Sequence, residues 1–136
     1  MTQQRMDVFF YGLFMDSAVL RAQNVQPENP RRASVDGYAL RIGRRATLVP
    51  CPGARAYGMV FALTQAELDR LYSAPGLEDY HPETVPAQVF DGQALRALCY
   101  NLAEEPQPAE RNAEYAERLR AVLAKLGFPP EYVAAL

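Results

Sequence analysis

The stretch that most constrains this chain is Val8-Phe9-Phe10-Tyr11-Gly12-Leu13-Phe14-Met15-Asp16. A short apolar run climbs to a glycine and then meets an acidic, helix-compatible segment. The run reads as a buried first strand, Asp7 to Tyr11, rich in aromatic and β-branched types. Gly12 turns it sharply into a loop, because glycine permits a positive φ and close approach of the backbone to another group. Exposed N–H groups at such a turn hold anions as helix starts and nests do. If the chain binds a small acid, this loop is the place for one end of it. The plainer reading is a buried strand with an ordinary turn, since a single glycine is a common turn signal.

The rest of the composition narrows the partners. A chain of 136 residues fits one domain, 1–136, around one core. The net charge of −2 points to no nucleic-acid or membrane partner. The apolar run from Val8 to Met15 falls far short of the ~20 residues a membrane span needs. Two cysteines, Cys51 and Cys99, stand in no C-x-x-C arrangement. With no signal peptide visible, both are expected reduced in a cytoplasmic protein, although sequence leaves a Cys51–Cys99 disulfide open. A P-loop, G-x-G-x-x-G, G-x-S-x-G and His/Cys metal spacing are all missing, so neither cofactor nor metal is expected.

The remaining elements follow in order. Met1 to Met6 is polar and reads as loose. Met15 to Ala22 reads as a short helix, and Gln23 to Pro30 as loop. Arg32 to Ile42 and Ala46 to Val49 read as strands, the second ended by a tight Pro50-Cys51-Pro52-Gly53 loop. Tyr57 to Leu63 is a further strand. Thr64-Gln65-Ala66-Glu67 is a capping box that opens a helix from Gln65 to about Ser73, stopped at Pro75-Gly76. Glu78 to Pro82 reads as a connecting loop. Thr84 to Phe90 reads as an edge-type strand because of Pro86. Asp91-Gly92 is a hairpin turn leading to a strand from Gln93 to Asn101. Ala109 to Leu126 reads as the longest helix, with Gly127 as its stop and Pro129-Pro130 forbidding continuation. Glu131 to Leu136 is a final short turn. A β-rich block with one embedded helix and a C-terminal helix indicates a mixed α+β domain on a small, strongly bent sheet or barrel.

Several of these pieces share one order and spacing. They are the strand ending in Tyr11-Gly12, Leu48-Val49-Pro50, Tyr57 to Thr64, a helix ending near Leu71, Gly76, Tyr80 before Val85, and the tail from Tyr115 to Tyr132. Together they resemble the γ-glutamylcyclotransferase-like family, with its AIG2-like bacterial members, over nearly the whole chain. The resemblance implies a small closed or nearly closed mixed β-barrel flanked by helices. It implies a substrate loop of Tyr-Gly-Ser-Leu type, here Tyr11, Gly12, Leu13 and Phe14. It also implies a glutamate base just after the embedded helix and release of 5-oxoproline from a γ-glutamyl amine or peptide. That chemistry needs few parts. The substrate's own amine is a tethered nucleophile, worth an effective molarity of up to ~10⁵–10⁸ M when well oriented. The protein supplies a base and donors for the developing oxyanion.

Two departures bear on activity. Leu13 stands where the family has serine or threonine, and Phe14 where it has leucine or asparagine. Counted from Leu68 and Leu71, the family's Glu-Gly falls on Pro75-Gly76, and proline carries no proton. The expectation is therefore a pocket for a small γ-glutamyl or amino-acid-like ligand, with standard cyclotransferase activity weakened or altered. Tyr80 is a further lining candidate, with core packing as its other reading. One alternative is an active cyclotransferase with Glu78 as displaced base. Another is a non-catalytic interaction scaffold, as a homodimer. Glu83 reads as exposed and His81 as a surface or structural histidine. Arg31, Arg32, Arg41, Arg44 and Arg45 form the one basic concentration, fit either for an anion or for a solvated strand and turn. Cys51 reads as a small apolar residue. Tyr115 and Tyr132 read as packing of the tail helix.

Overall fold

A computed structural model describes residues 4–136. Strand β1 (Arg5–Phe10) is paired along both edges. It runs antiparallel to β3 (Ala46–Thr64) from Arg5 opposite Thr64 to Phe10 opposite Met59, and parallel to β5 (Ala94–Leu102) at Val8 opposite Leu98. With β2 (Glu28–Ile42) and β4 (Tyr80–Val89), the order β1-β3-β2-β4-β5 closes a barrel. The expected α+β barrel with flanking helices is the observed architecture.

Successive residues of a strand face opposite sides, and β1 buries both. Phe9 and Tyr11 join Val35, Leu48, Val60 and Val85 inside the barrel, where Ala33, Ala56, Ala87 and Ala97 keep the bore narrow. Val8 and Phe10 face outward into a second core, shared with Leu63, Leu68, Leu119 and Leu123 under the helices. Burial on both faces is why this strand reads as an unbroken apolar run.

The helices are α1 (Ser17–Ala22), preceded by a 3-10 turn at Leu13–Met15, then α2 (Gln65–Leu71), α3 (Ala113–Lys125) and α4 (Pro130–Ala134). The single Met15–Ala22 helix is thus two pieces, divided at Asp16, whose carboxylate caps α1 at Ala18 N–H. Helix α3 begins later than Ala109, because Asn112 accepts from Tyr115 N–H and sets the start. It ends as expected: Gly127 takes φ +83°, its N–H reaches Ala124 O, and Phe128 N–H reaches Leu123 O, a Schellman stop. The final turn is α4. No helix among the described residues is long and apolar enough to cross a membrane.

The strands outrun their sequence signals. The stretch Pro50 to Gly53 is no inter-strand loop but part of β3. Residues 51–54 lack partners on β2, where only Gly37 stands between Asp36 (opposite Arg55) and Tyr38 (opposite Pro50). The turn-forming residues make a wide bulge inside a strand, eased by positive φ at Gly37 and Gly53. Strand β2 starts at Glu28 within the expected loop, and β4 starts at Tyr80 and passes through Pro82. Pro86 is tolerated because β4 meets β2 only at Val89 and Gln88, so the proline's bare edge faces no partner. Strand β1 begins at Arg5, inside the segment read as loose, because Arg5 and Met6 pair with Thr64 and Leu63 of β3; Met1 to Gln3 lie outside the described residues. Cys51 and Cys99 are free thiols.

The capping box at the start of α2 is present in full. Glu67, only 7% exposed, also gathers two distant parts of the chain. Its carboxylate accepts from Thr64 N–H (2.9 Å), Gln26 N–H (2.6 Å) and the Arg5 guanidinium (3.2 Å). Burial pushes its pKa up, but the Thr64 and Gln26 N–H groups and Arg5 outweigh burial and hold it below the ordinary 4.5. A carboxylate depressed on folding stabilises above its unfolded pKa and loses that contribution as pH falls through the folded value. Thr64→Ala is expected to cost about 1 kcal/mol. Glu67→Gln is expected to lower stability at neutral pH, the gap to the native chain closing as pH drops below about 4.5. Urea unfolding across pH 3–7 (roughly the range over which such a carboxylate titrates) measures both.

Candidate functional site

Where β1 ends, the Tyr11–Phe14 loop forms one wall of a cavity of about 290 Å³, near the small end of the ~300–1,000 Å³ typical of ligand sites. Tyr72, the residue directly after α2, and Tyr100 of β5 form a second wall, their rings stacked 3.9 Å apart at 8°. Phe14 bridges the walls, edge-on to Phe10 at 6.0 Å and to Tyr72 at 6.4 Å. Leu77 and Tyr80 line the site from the α2–β4 connection, Tyr115 from α3, and Arg44 and Arg45 from the tip of the β2–β3 hairpin.

The loop is glycine at position 12 for one reason and not the other. Gly12 has φ −110°, so the expected positive φ is not what selects it. Close approach is: a Cβ there would overlap the Tyr115 hydroxyl. That hydroxyl accepts from Leu13 N–H at 3.3 Å, so α3 braces the loop through one phenol. Met15 N–H donates to Gly12 O and Asp16 N–H to Leu13 O, coiling the loop into its 3-10 turn. Among the described residues, the Gly12 and Phe14 N–H groups have no protein acceptor.

The hairpin tip is held from two sides. Arg44 N–H donates to Glu110 Oε1 (3.1 Å), and Arg44 O accepts from Asn112 Nδ2 (3.1 Å). Arg45 reaches across to Gly76 O (3.2 Å) and Asp79 (3.1 Å), with its guanidinium 5.9 Å from the Tyr80 ring centre. The arginines do not form one patch. Arg31 pairs with Asp7, Arg41 with Glu105, and Arg32 lies over Phe90. Of these arginines only Arg44 and Arg45 line the cavity, and the Glu110 carboxylate that accepts from Arg44 N–H stands beside them.

The cavity's titratable groups give no base near neutral pH. Burial raises Tyr11 and Tyr72 well above the ordinary phenol value. Burial likewise pushes Tyr80 up to about 12, against the pull of the Arg45 charge. Arginine stays protonated. No carboxylate lines the cavity among the described residues. Glu78 is exposed, outside the lining, and its Oε2 accepts from Gly76 N–H at 3.0 Å. Pro75 is exposed and outside the lining as well. Glu83 is exposed and accepts from Asn101 Nδ2, and His81 is exposed on β4. The five sequence candidates Tyr11, Gly12, Leu13, Phe14 and Tyr80 do come together at the cavity, whereas Glu78 stays outside it. In the sequence Tyr115 reads only as packing of the tail helix, and nothing singles out Tyr72 or Tyr100 as site residues. No cluster of three or more His, Cys, Asp or Glu fit for a metal occurs among the described residues.

Comparison with known proteins bears on the family and the fold. The family model described as "Gamma-glutamyl cyclotransferase, AIG2-like" matches residues 8–118. No individual curated protein sequence matches the chain. Among solved structures, an uncharacterized human protein aligns at TM-score 0.78 and 18% identity, over 98% of this chain and 86% of that one. A protein named γ-glutamyl cyclotransferase aligns at TM-score 0.78 and 17% identity, over 97% and 86%. YkqA from Bacillus subtilis aligns at 0.78 and 21%, over 96% of this chain and 52% of its own. At these identities the likeness is one of fold.

The Gly12–Tyr115 contact makes a double-mutant test. Gly12→Ala is expected to destabilise by about 1–3 kcal/mol through overpacking. Tyr115→Phe is expected to cost about 1 kcal/mol for the lost hydrogen bond. The double variant is expected to cost less than the sum, because removing the hydroxyl removes the clash. Denaturant melts of the four proteins read the coupling.

Proposed function

Because this chain belongs to the γ-glutamyl cyclotransferase, AIG2-like family, we propose that it binds a small γ-glutamyl or related amino-acid-like ligand at the Tyr11–Phe14 loop without standard cyclotransferase turnover. The observation that carries this reading is a cavity bounded by that loop in which no carboxylate takes part among the described residues. Ring closure requires a proton to leave the substrate's ammonium. The phenols here hold their protons tightly, and the arginines are already charged.

The family places its base just after the embedded helix. Helix α2 ends at Leu71, and the next side chain, Tyr72, is the one that meets the cavity, while Pro75 does not. The missing base is therefore better matched to Tyr72 than to Pro75, and either assignment leaves the site without a titrating carboxylate. Glu78 as a displaced base would need to leave Gly76 N–H and swing inward past Leu77. Donors for an acid remain in the Gly12 and Phe14 N–H groups, which supports binding where it does not support turnover.

The test is a panel of γ-glutamyl amines, γ-glutamyl dipeptides and 5-oxoproline, followed by 5-oxoproline release and by amide NMR shifts. Shifts at Gly12 to Phe14 with no release are expected. Release abolished by Glu78→Gln would instead establish the displaced base. A panel that shifts nothing at the loop would overturn the ligand reading.

A further inference from the structure

We infer that the chain pairs with a second copy of itself along the outer edge of β2 at Tyr38–Ile42, antiparallel and centred on Leu40. The hairpin register shows which backbone groups lie on that edge. Gly43 N–H donates to Arg45 O. The next pair, Ile42 and Ala46, is therefore a non-hydrogen-bonded one, because the two kinds alternate along an antiparallel ladder. Leu40–Leu48 and Tyr38–Pro50 are then of the same kind. In such pairs the N–H and C=O groups point away from the neighbouring strand. The β3 side agrees: Leu48 N–H turns to Asn101 Oδ1 (3.1 Å), Ala46 O accepts from Tyr80 Oη (2.5 Å), and Pro50, with no N–H, forfeits no ladder bond. On β2, the matching groups of Tyr38, Leu40 and Ile42 face outward. Strand β4 pairs with β2 only at Ala33 and Ser34, and among the described residues no strand or loop backbone takes up these outward groups.

Open space lies beside that edge: a groove of about 520 Å³ has Leu40, Arg41 and Ile42 in its lining. An unpaired edge is a template for another strand unless proline or charge blunts it. Strand β4 carries Pro82 and Pro86. Tyr38–Ile42 holds no proline, and its single charge is Arg41. The order of its side chains selects the occupant. A two-fold axis makes one segment meet itself. Centred on Leu40, the pairing sets Tyr38 opposite Ile42 of the second copy, so all the outward-facing residues exchange bonds. It also sets Arg41 opposite Ala39 of the second copy, where a short side chain leaves room for a long one. Centred on Arg41 instead, like charges oppose each other, and Tyr38 falls opposite Arg44, in the turn beyond the strand. The Leu40 register is the one that uses the whole edge.

Sedimentation velocity from about 1 µM to 1 mM, the span of weak association, reads the equilibrium. A contact this short stands at the low end of interface size, so a monomer–dimer transition within that span is expected. The Leu40 and Ile42 amides are expected to gain protection from hydrogen exchange as concentration rises. Charge at position 39 tests the register. Ala39 packs against neither core and shares the Arg41 face of the strand. Ala39→Glu sets a carboxylate opposite Arg41 in both halves of the dimer and is expected to tighten it about fivefold; Ala39→Lys sets like charges there and is expected to weaken it about as much. Amide spectra of dilute samples check that each variant keeps the native fold. A chain that stays monomeric up to about 1 mM leaves the edge to a foreign strand and overturns the inference. A dimer in which the two variants act alike, or in which the Leu40 and Ile42 amides stay unprotected, forms through another face and overturns it equally.

Discussion

Everything in this fold hangs on β1 having no free side. Both faces are buried, in two different cores, and both edges are paired, antiparallel to β3 and parallel to β5. A strand so enclosed has no exposed ladder to satisfy elsewhere, and it closes the barrel. The approach to β3 is close enough that a Cβ on Gly58 would overlap the Phe10 carbonyl. Because the strand cannot slide, the point where it ends is also determined. Tyr11 stays inside, and the next residues are delivered to the barrel mouth as the cavity wall.

Two hydrogen-bonding hubs then hold the connections around that barrel, and they are of opposite sign. Glu67 is an acceptor hub, saturated by donors from Thr64, Gln26 and Arg5 at the start of α2. At the cavity, Arg45 ties the hairpin tip to the turn at Gly76 and Asp79, and Glu110 and Asn112 hold Arg44 from the α3 side. The first hub buries a carboxylate and leaves nothing over, so it is structural. The second sets two arginines, each beside a carboxylate, next to N–H groups lacking partners, and free donors are a property a ligand can use.

Local chemistry was readable wherever a few adjacent residues decide the outcome. Thr64 and Glu67 cap a helix by their own reach, Gly127 ends one by its φ, and Asp91-Gly92 turns a hairpin. Readability failed where a distant partner overrode a local preference. Pro50-Cys51-Pro52-Gly53 looks like a loop, yet β2 and β3 pair on either side of it and turn it into a bulge. Gly12 looks like a positive-φ turn, yet Tyr115, more than a hundred residues on, is what excludes a side chain there.

The sequence by itself determined the barrel-and-helix class, the family, and a loop at Tyr11–Phe14, because apolar periodicity, caps and turn residues act over a few positions. Only the tertiary structure decided which side chains share the cavity. Tyr72, Tyr100, Tyr115 and the Arg44-Arg45 pair come from four different segments, and no spacing along the chain links those segments. It also decided the cavity's chemical character, since whether a donor or acceptor is free depends on which distant group has already claimed it.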